Sequence, residues 1–448
     1  MKCYSISSRW PVRLVLLVAP LLIVILYPAL AFSDNAISTC GVIASPGTYD
    51  IENDITSHGA LGGACLVLHD TTDVTLDCHG HTIEVSNSGG YQTPPALEIA
   101  RMKNFNVRNC HFDGLEQIVR IEQSSYGVFE NNQFSRTNRN ALTYIAASYV
   151  DHLTIQKNIF YAMWEQIHVT DTILENNAFT CPADPSHDIC WALIMSQLGG
   201  QRNTYSGNNI EGGLGVKSDG SKKAATDDGI LLEDESDSVV DHNVINDVFD
   251  MGIENLGQLT NVKITSNRIK NLCQAGFGGW YYSNLVDNLF ADNDVTCDKM
   301  LLYYRIGGLR PAKYDMPADT ALLFTNNIFS GNRLRPPAGT KRAAISLPIY
   351  EPSMSIQKNS LTISRNKSVR TSGTPQFHPY YDEAETMPKK VVLINNVFRD
   401  NDFGSEGSFN FDDGSPNAAY NADFIIDGGG NKCIKNASSS KFSPINCQ

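Results

Sequence analysis

VDHNVI (residues 240–245), ITSNRI (264–269) and FADNDV (290–295) are three copies of one phrase: apolar, two variable residues, asparagine, one variable residue, apolar. The phrase recurs as FENNQF, IQKNIF, LENNAF, YSGNNI, FTNNIF and ISRNKS, and in shortened form as INNVF. Its asparagines are Asn132, Asn158, Asn177, Asn208, Asn243, Asn267, Asn293, Asn327, Asn366 and Asn396. They lie 19 to 39 residues apart, with the shorter spacings clustered in the twenties. The chain holds 39 Asn in 448 residues, and an excess of one residue type marks a repeat that uses it. A second phrase, glycine then an apolar residue, precedes several copies: Gly229-Ile230, Gly252-Ile253 and Gly276-Phe277 lie 23 and 24 residues apart.

Around each anchor the apolar residues alternate, as in Val262, Ile264 and Ile269, in short runs with strand periodicity. No 3.6-residue stripe is long enough for a helical repeat. The L-x-x-L-x-L of leucine-rich repeats is absent, and propeller blades need roughly 40 residues or more. Three short strands per coil, stacked coil on coil, predict an all-β fold, a parallel β-helix of roughly a dozen coils. Coils stack at about 4.8 Å. An asparagine at one turn of every coil would bond its counterpart one coil away and the local backbone, an inward ladder satisfying buried polar groups.

The first 31 residues read as a signal peptide. Lys2, Arg9 and Arg13 precede an apolar run from Leu14 to Phe32 that contains Ala29-Leu30-Ala31, an A-x-A cleavage site. An uncleaved membrane anchor is the rival reading of this run, which is just long enough to span a bilayer. Removing residues 1–31 takes away Cys3 and leaves ten cysteines, with 32 basic against 48 acidic residues, a net charge of −16. An even cysteine number in an exported chain implies disulfides and a secreted, periplasmic or cell-surface location. Neither C-x-x-C nor zinc spacing occurs. The acidic balance argues against nucleic acid. Cys78 in TLDCHG and Cys110 in VRNCHF take the ladder position in consecutive coils, which predicts a Cys78–Cys110 bond. The remaining sequence-local pairs are Cys40–Cys65, Cys181–Cys190, Cys273–Cys297 and Cys433–Cys447.

The segments CGVIASPGTYDIENDI (40–55) and CLVLHDTTDVTLDCHGHTIE (65–84) resemble the opening of many secreted right-handed parallel β-helix proteins. With the asparagine repeats the resemblance covers roughly residues 40–430. It implies a pectate lyase-like or polygalacturonase-like superfamily whose members include lyases, hydrolases, epimerases and phage tailspikes, so it specifies fold more than function. The expected organisation is signal 1–31, N-terminal cap 32–70, right-handed β-helix 71–423 and C-terminal cap 424–448. Insertions at 211–226, 309–321, 333–343 and 368–390 fall between coils, where clefts are built.

Setting Gly229, Gly252, Gly276 and Met300 level turns this frame into a map of one wall. Asp227, Asp250, Gln274 and Asp298 then share a column, and Ile230, Ile253, Phe277 and Leu301 point inward. Leu231, Glu254, Gly278 and Leu302 point outward, followed two places on by Glu233, Leu256, Trp280 and Tyr304. Asp227, Asp228, Asp250 and Glu254 are the candidate catalytic acids and bases, since paired carboxylates on adjoining coils serve a glycosidase. Carboxylates so placed could also hold Ca2+. Glu233, Trp280, Tyr304, Arg305, Arg310 and Lys313 are the candidate substrate contacts: aromatic faces stack on sugar rings and cations bind uronate carboxylates. The bland alternative is that Asp-Asp and Asp-Gly populate turns.

ATDDGI (225–230) resembles the Asn-Thr-Asp-Gly motif of polygalacturonases, with Ala225 in place of asparagine, a single Asp250 one coil later, and no Gly-His-Gly. DPSHD (184–188) resembles the DPHD of alginate epimerases, interrupted by Ser186. His79 and His81 read as turn residues, and His168 as the one histidine placed to act as a base. The first function this supports is an exported protein that binds, and as lyase or hydrolase cleaves, an acidic polysaccharide. The second is a non-catalytic surface or adhesion solenoid. Mass mapping of unreduced peptides should return the five cysteine pairs, Cys433–Cys447 included; a Cys110–Cys181 link would contradict the ladder alignment.

Overall fold

The computed structural model describes residues 35–57, 63–86, 94–114, 117–136, 144–181, 190–216, 222–271, 273, 275–279, 284–297, 300–304, 322–325, 327–330 and 332–334, and beyond these the short strands between Ile345 and Ser443. Residues 1–31, Asn366, Asn396 and Cys447 lie outside them. Every regular element among the described residues is a β-strand. Leu97–Ala100, Lys103–Arg108 and His111–Gly114 form one coil; Gln117–Glu122, Ser125–Glu130 and Gln133–Arg136 form the next. Each strand pairs in parallel with its counterpart one coil on, as Leu97 with Val119, Val107 with Phe129 and Phe112 with Phe134. Repetition builds parallel sheets of 13, 15 and 12 strands, joined from Gln258–Thr260 onward by a six-stranded fourth sheet. Residues 35–57 already supply the strands that open the three long sheets.

The interior is filled column by column. Phe112, Phe134, Phe160 and Phe179 stack with ring centroids 5.5, 4.7 and 4.4 Å apart and nearly parallel planes. Ile210, Ile245, Ile269 and Val295 continue that column. Each such side chain contributes about 2 kcal/mol by leaving water.

The corners are single residues in the left-handed region. Asn109, Asn131, Lys157 and Asn176 have φ of 54–56° at successive copies of one corner, and each N–H bonds a backbone carbonyl one coil on. The ladder asparagine follows directly. Asn208 N–H and Nδ2 both donate to Asn243 Oδ1 at 3.0 Å, and Nδ2 also donates to Leu174 O at 2.9 Å. The same bonds run from Asn132 through Asn158, Asn177, Asn208, Asn243 and Asn267 to Asn293 and Asn332. Asn327 does not stand on this ladder, contrary to the repeat alignment. It accepts from Asn288 at the preceding corner, because FSGNRL (329–334) fits the repeat phrase equally well and supplies the true copy, Asn332.

Four disulfides tie the solenoid: Cys40–Cys65, Cys78–Cys110, Cys181–Cys190 and Cys273–Cys297. Cys110 N–H donates to Asn132 Oδ1 at 2.9 Å, so the cysteine pair ends the amide ladder in its own column. Asn243→Ala removes the acceptor for two Asn208 donors and the donor to Tyr205 O. Chemical denaturation should register a loss of about 3 kcal/mol or more, against about 0.5 kcal/mol or less for the exposed neighbour Asn209→Ala.

Candidate carboxylate site

Cys190–Gln197, Thr226–Glu233 and Met251–Leu256 lie side by side in the 13-stranded sheet. Their register sets Glu165, Met195, Leu231 and Glu254 in one column on consecutive coils, with Ala192 beside Asp228 in another. Ala192, Met195 and Leu231, with Leu256 against them, form a small apolar cluster separate from the main core. This is the outer wall, yet Met195, Leu231, Asp228, Glu233 and Glu254 are all buried, so this stretch of it is shielded from water.

The Gly-apolar phrase explains how the acids reach this wall. A Cβ on Gly229 would lie 2.6 Å from Gly252 O and from Ile245 Cγ2, and one on Gly252 would lie 2.6 Å from Ile269 Cγ2. Only glycine lets the strand pass that close to the neighbouring sheet. The acids stand immediately before it. Asp250 N–H donates to Asp227 O at 2.8 Å, which sets the two aspartates on adjacent coils. Met251 N–H donates to Asp228 Oδ1 at 2.9 Å. Asp228 and Glu254 hydrogen-bond each other across the coils, and the charge of Asp250 bears on both.

Burial, followed by the charges of Glu254 and Asp250, pushes the Asp228 carboxyl well above the usual carboxylate range. Burial also pushes Glu254 up to about 8; the hydrogen bond to Asp228 opposes this, and the charges of Asp250 and Asp227 add to it. Two carboxyls in contact cannot both ionise cheaply, so the pair keeps a proton at neutral pH. A carboxylic acid beside carboxylates is the equipment of general acid–base chemistry. Glu165, also raised by burial, stands three strand spacings from Glu254, about 14 Å along the column.

The structure therefore brings together Asp227, Asp228, Asp250 and Glu254, with Glu233 on the same wall in register with Leu256. Trp280, Arg305, Arg310 and Lys313 lie outside the described residues, as do Gln274, Asp298 and the DPSHD string. The alignment of Met300 is corrected by one residue. Met300 pairs with Ala275, Leu302 rather than Leu301 continues the Phe277 column, and Tyr304 falls level with Gly279 and Asn255 instead of with Glu233 and Leu256. The cause is one extra residue between these two strands compared with the preceding coil. Among the described residues no group of three or more His, Cys, Asp or Glu is arranged to hold a metal ion, so the Ca2+ reading has no described ligand set. His168 sits at a corner with its ring stacked on Tyr149 at 5.0 Å. His79 and His81 pair with Asp50 and Asp54, as turn residues would.

Two exposed aromatics were not legible as site residues. Trp191, 61% exposed, falls between Cys190 and Ala192 and so stands level with Asp227; Phe249, 56% exposed, precedes Asp250. In CWALIM the tryptophan reads as core, yet it is exposed at the start of the strand, level with Asp227. A carbon-13 titration of the carboxyl groups should find one group moving near pH 8, and Asp250→Asn should lower its midpoint by removing a repelling charge. A midpoint unchanged in that variant would separate Asp250 from the pair.

Residues 96–298 match the family model described as right handed beta helix region. No curated protein matches. Among solved structures, the DFA-IIIase of Arthrobacter chlorophenolicus A6 without its lid is 13% identical, over 88% of this chain and 88% of its own, with a TM-score of 0.38. The tailspike protein of E. coli bacteriophage HK620, solved with a pentasaccharide, is 12% identical over 92% of this chain and 68% of its own, with a TM-score of 0.42. A periplasmic alginate epimerase is 13% identical over 70% of this chain and 78% of its own, with a TM-score of 0.37. The strand topology of the three long sheets and the match over residues 96–298 agree on the fold, a right-handed parallel β-helix.

Proposed function

We propose that the wall around Asp228 and Glu254 binds a carbohydrate chain outside the cytoplasm and hydrolyses it. The observation that carries this reading is the buried, proton-sharing carboxyl pair, with exposed Trp191 level with Asp227 on the adjoining strand. The protonated member serves as general acid to the leaving oxygen, and an ionised aspartate of the cluster serves as base or nucleophile. The Met195–Leu231 cluster accepts the apolar face of a sugar, and Trp191 stacks on a neighbouring ring. Four disulfides and the A-x-A segment support export.

Hydrolysis is favoured over elimination by charge. The described acids repel an anionic ligand, so a neutral glycan fits this wall best.

A glycan panel read by reducing ends, and by the absorbance of unsaturated products, tests the reading. Cleavage of a neutral glycan without unsaturated product is expected, with activity falling as pH rises past 8 and Glu254 loses its proton. Asp228→Asn and Glu254→Gln should each lower kcat by about 100-fold or more, while Trp191→Ala should raise KM by roughly 5- to 10-fold. Binding that the carboxylate variants abolish, without turnover by the parent, would make this an adhesion wall. Neither binding nor turnover dependent on these residues would reject the site.

A further inference from the structure

A second buried carboxyl group lies inside the solenoid, beneath the same strands. Glu235 is fully buried, two residues past the end of Thr226–Glu233. Ser196 Oγ donates to its Oε2 at 2.6 Å, Asn203 Nδ2 donates to Oε1 at 2.9 Å, and Tyr205 OH lies 3.5 Å from Oε1. Gln166 Nε2 donates to Tyr205 OH at 2.7 Å, and Trp164 Nε1 to Gln166 Oε1 at 2.9 Å. The fold reserves room for the group: a Cβ on Gly200, in the adjoining coil, would lie 2.0 Å from Glu235 Oε2.

The proton count is decided at Ser238. Its Oγ lies 2.6 Å from Glu235 Oε1 and 2.8 Å from Ser236 O, and accepts Asn203 N–H at 2.9 Å. One hydroxyl has one proton to give. At the comparable corners, Ser124 Oγ donates to Glu122 O at 2.8 Å and Thr172 Oγ1 to Thr170 O at 3.3 Å, each to the carbonyl two residues back. If Ser238 does the same, the proton in its short contact with Glu235 must come from the glutamate.

We propose that Glu235 is a neutral carboxylic acid in the folded protein, donating to Ser238, so that folding takes up a proton in the solenoid interior and the fold is weakened as pH rises. Burial pushes the group upward, and outweighs the hydrogen bonds with Ser196, Ser238, Asn203 and Tyr205 that would favour an ionised carboxylate. Of the groups facing it from Met163–Ile167, Cys190–Gln197, Thr204–Ser206 and the corners at Gly200, Asn203 and Ser238, only Tyr205 titrates. Burial pushes that phenol well above its ordinary range, so it stays neutral. A carboxyl raised above its unfolded value gives stability that is complete below the unfolded value and is lost as pH rises through the folded one.

Glu235→Gln keeps a donor toward Ser238 and an acceptor for Ser196 without an ionisable proton. Thermal midpoints of the full chain and of Glu235→Gln, compared from pH 5 to pH 8.5, cancel the contribution of the wall acids. The new amide also faces the Asn203 Nδ2 donor, a fixed offset, so the pH trend is read: between pH 5 and pH 8.5 the midpoint of the parent should fall by roughly 2 °C or more relative to that of the variant. A variant less stable at pH 8.5 than the parent, with the gap closing toward pH 5, would mean an ionised carboxylate held by donors and would overturn the proposal. Infrared spectra at pH 7 give a second readout that does not need Glu235→Gln to fold. In a chain carrying Glu165→Gln, Asp228→Asn and Glu254→Gln the carbonyl band of a protonated carboxyl group should persist, and its absence would equally overturn the proposal.

Discussion

The oxygen of a ladder asparagine accepts two N–H donors from the coil before it, and its own amide nitrogen reaches back to a carbonyl of that coil. That bifurcated contact is the constraint on which the solenoid depends. At a corner the strand pairing stops, and the backbone groups there are buried with no water to take over. One side chain per coil closes this deficit, and it does so only if the next coil presents an asparagine at the same place. The coil length can then vary, from 19 residues between Asn158 and Asn177 to 39 between Asn293 and Asn332, while the register cannot.

Fixed register also controls the electrostatics of the wall. Side chains level on neighbouring coils are held at about one strand spacing, 4.8 Å. At that distance two ionised carboxylates repel by about 3 kcal/mol even in a moderately polar medium. The glycines at 229 and 252 hold the acid-bearing strands close to the neighbouring sheet, and burial of Asp228 and Glu254 keeps water from screening their charges. Asp227 and Asp250 are the acids so placed; Asp228 and Glu254, three residues apart in register, meet through their side chains, and burial keeps a proton between them.

The fold was legible because it is written in repetition. The asparagine phrase, the glycine phrase and the cysteines in ladder positions each report the same register, and Cys78–Cys110 was readable as a ladder rung. Asp227, Asp228, Asp250 and Glu254 were legible for the same reason, since the glycine phrase aligns their coils. Where one residue is added between coils, as before Met300, or where two corners carry the same phrase, as at Asn327 and Asn332, the repeat pattern alone points one place or one corner away. Trp191 and Glu235 were hidden for a different reason. One is an apolar residue turned outward and the other an acid turned inward, so each inverts the polarity rule by which a sequence is read.

The account stands or falls on whether the wall around Asp228 and Glu254 receives a sugar. A crystal structure of Glu254→Gln grown with a neutral oligosaccharide measures this directly. The account predicts a glycosidic oxygen within hydrogen-bond reach of the residue-254 side chain and a sugar ring against the Trp191 face. A saccharide bound elsewhere on the solenoid, with this wall empty at saturating ligand, would contradict it.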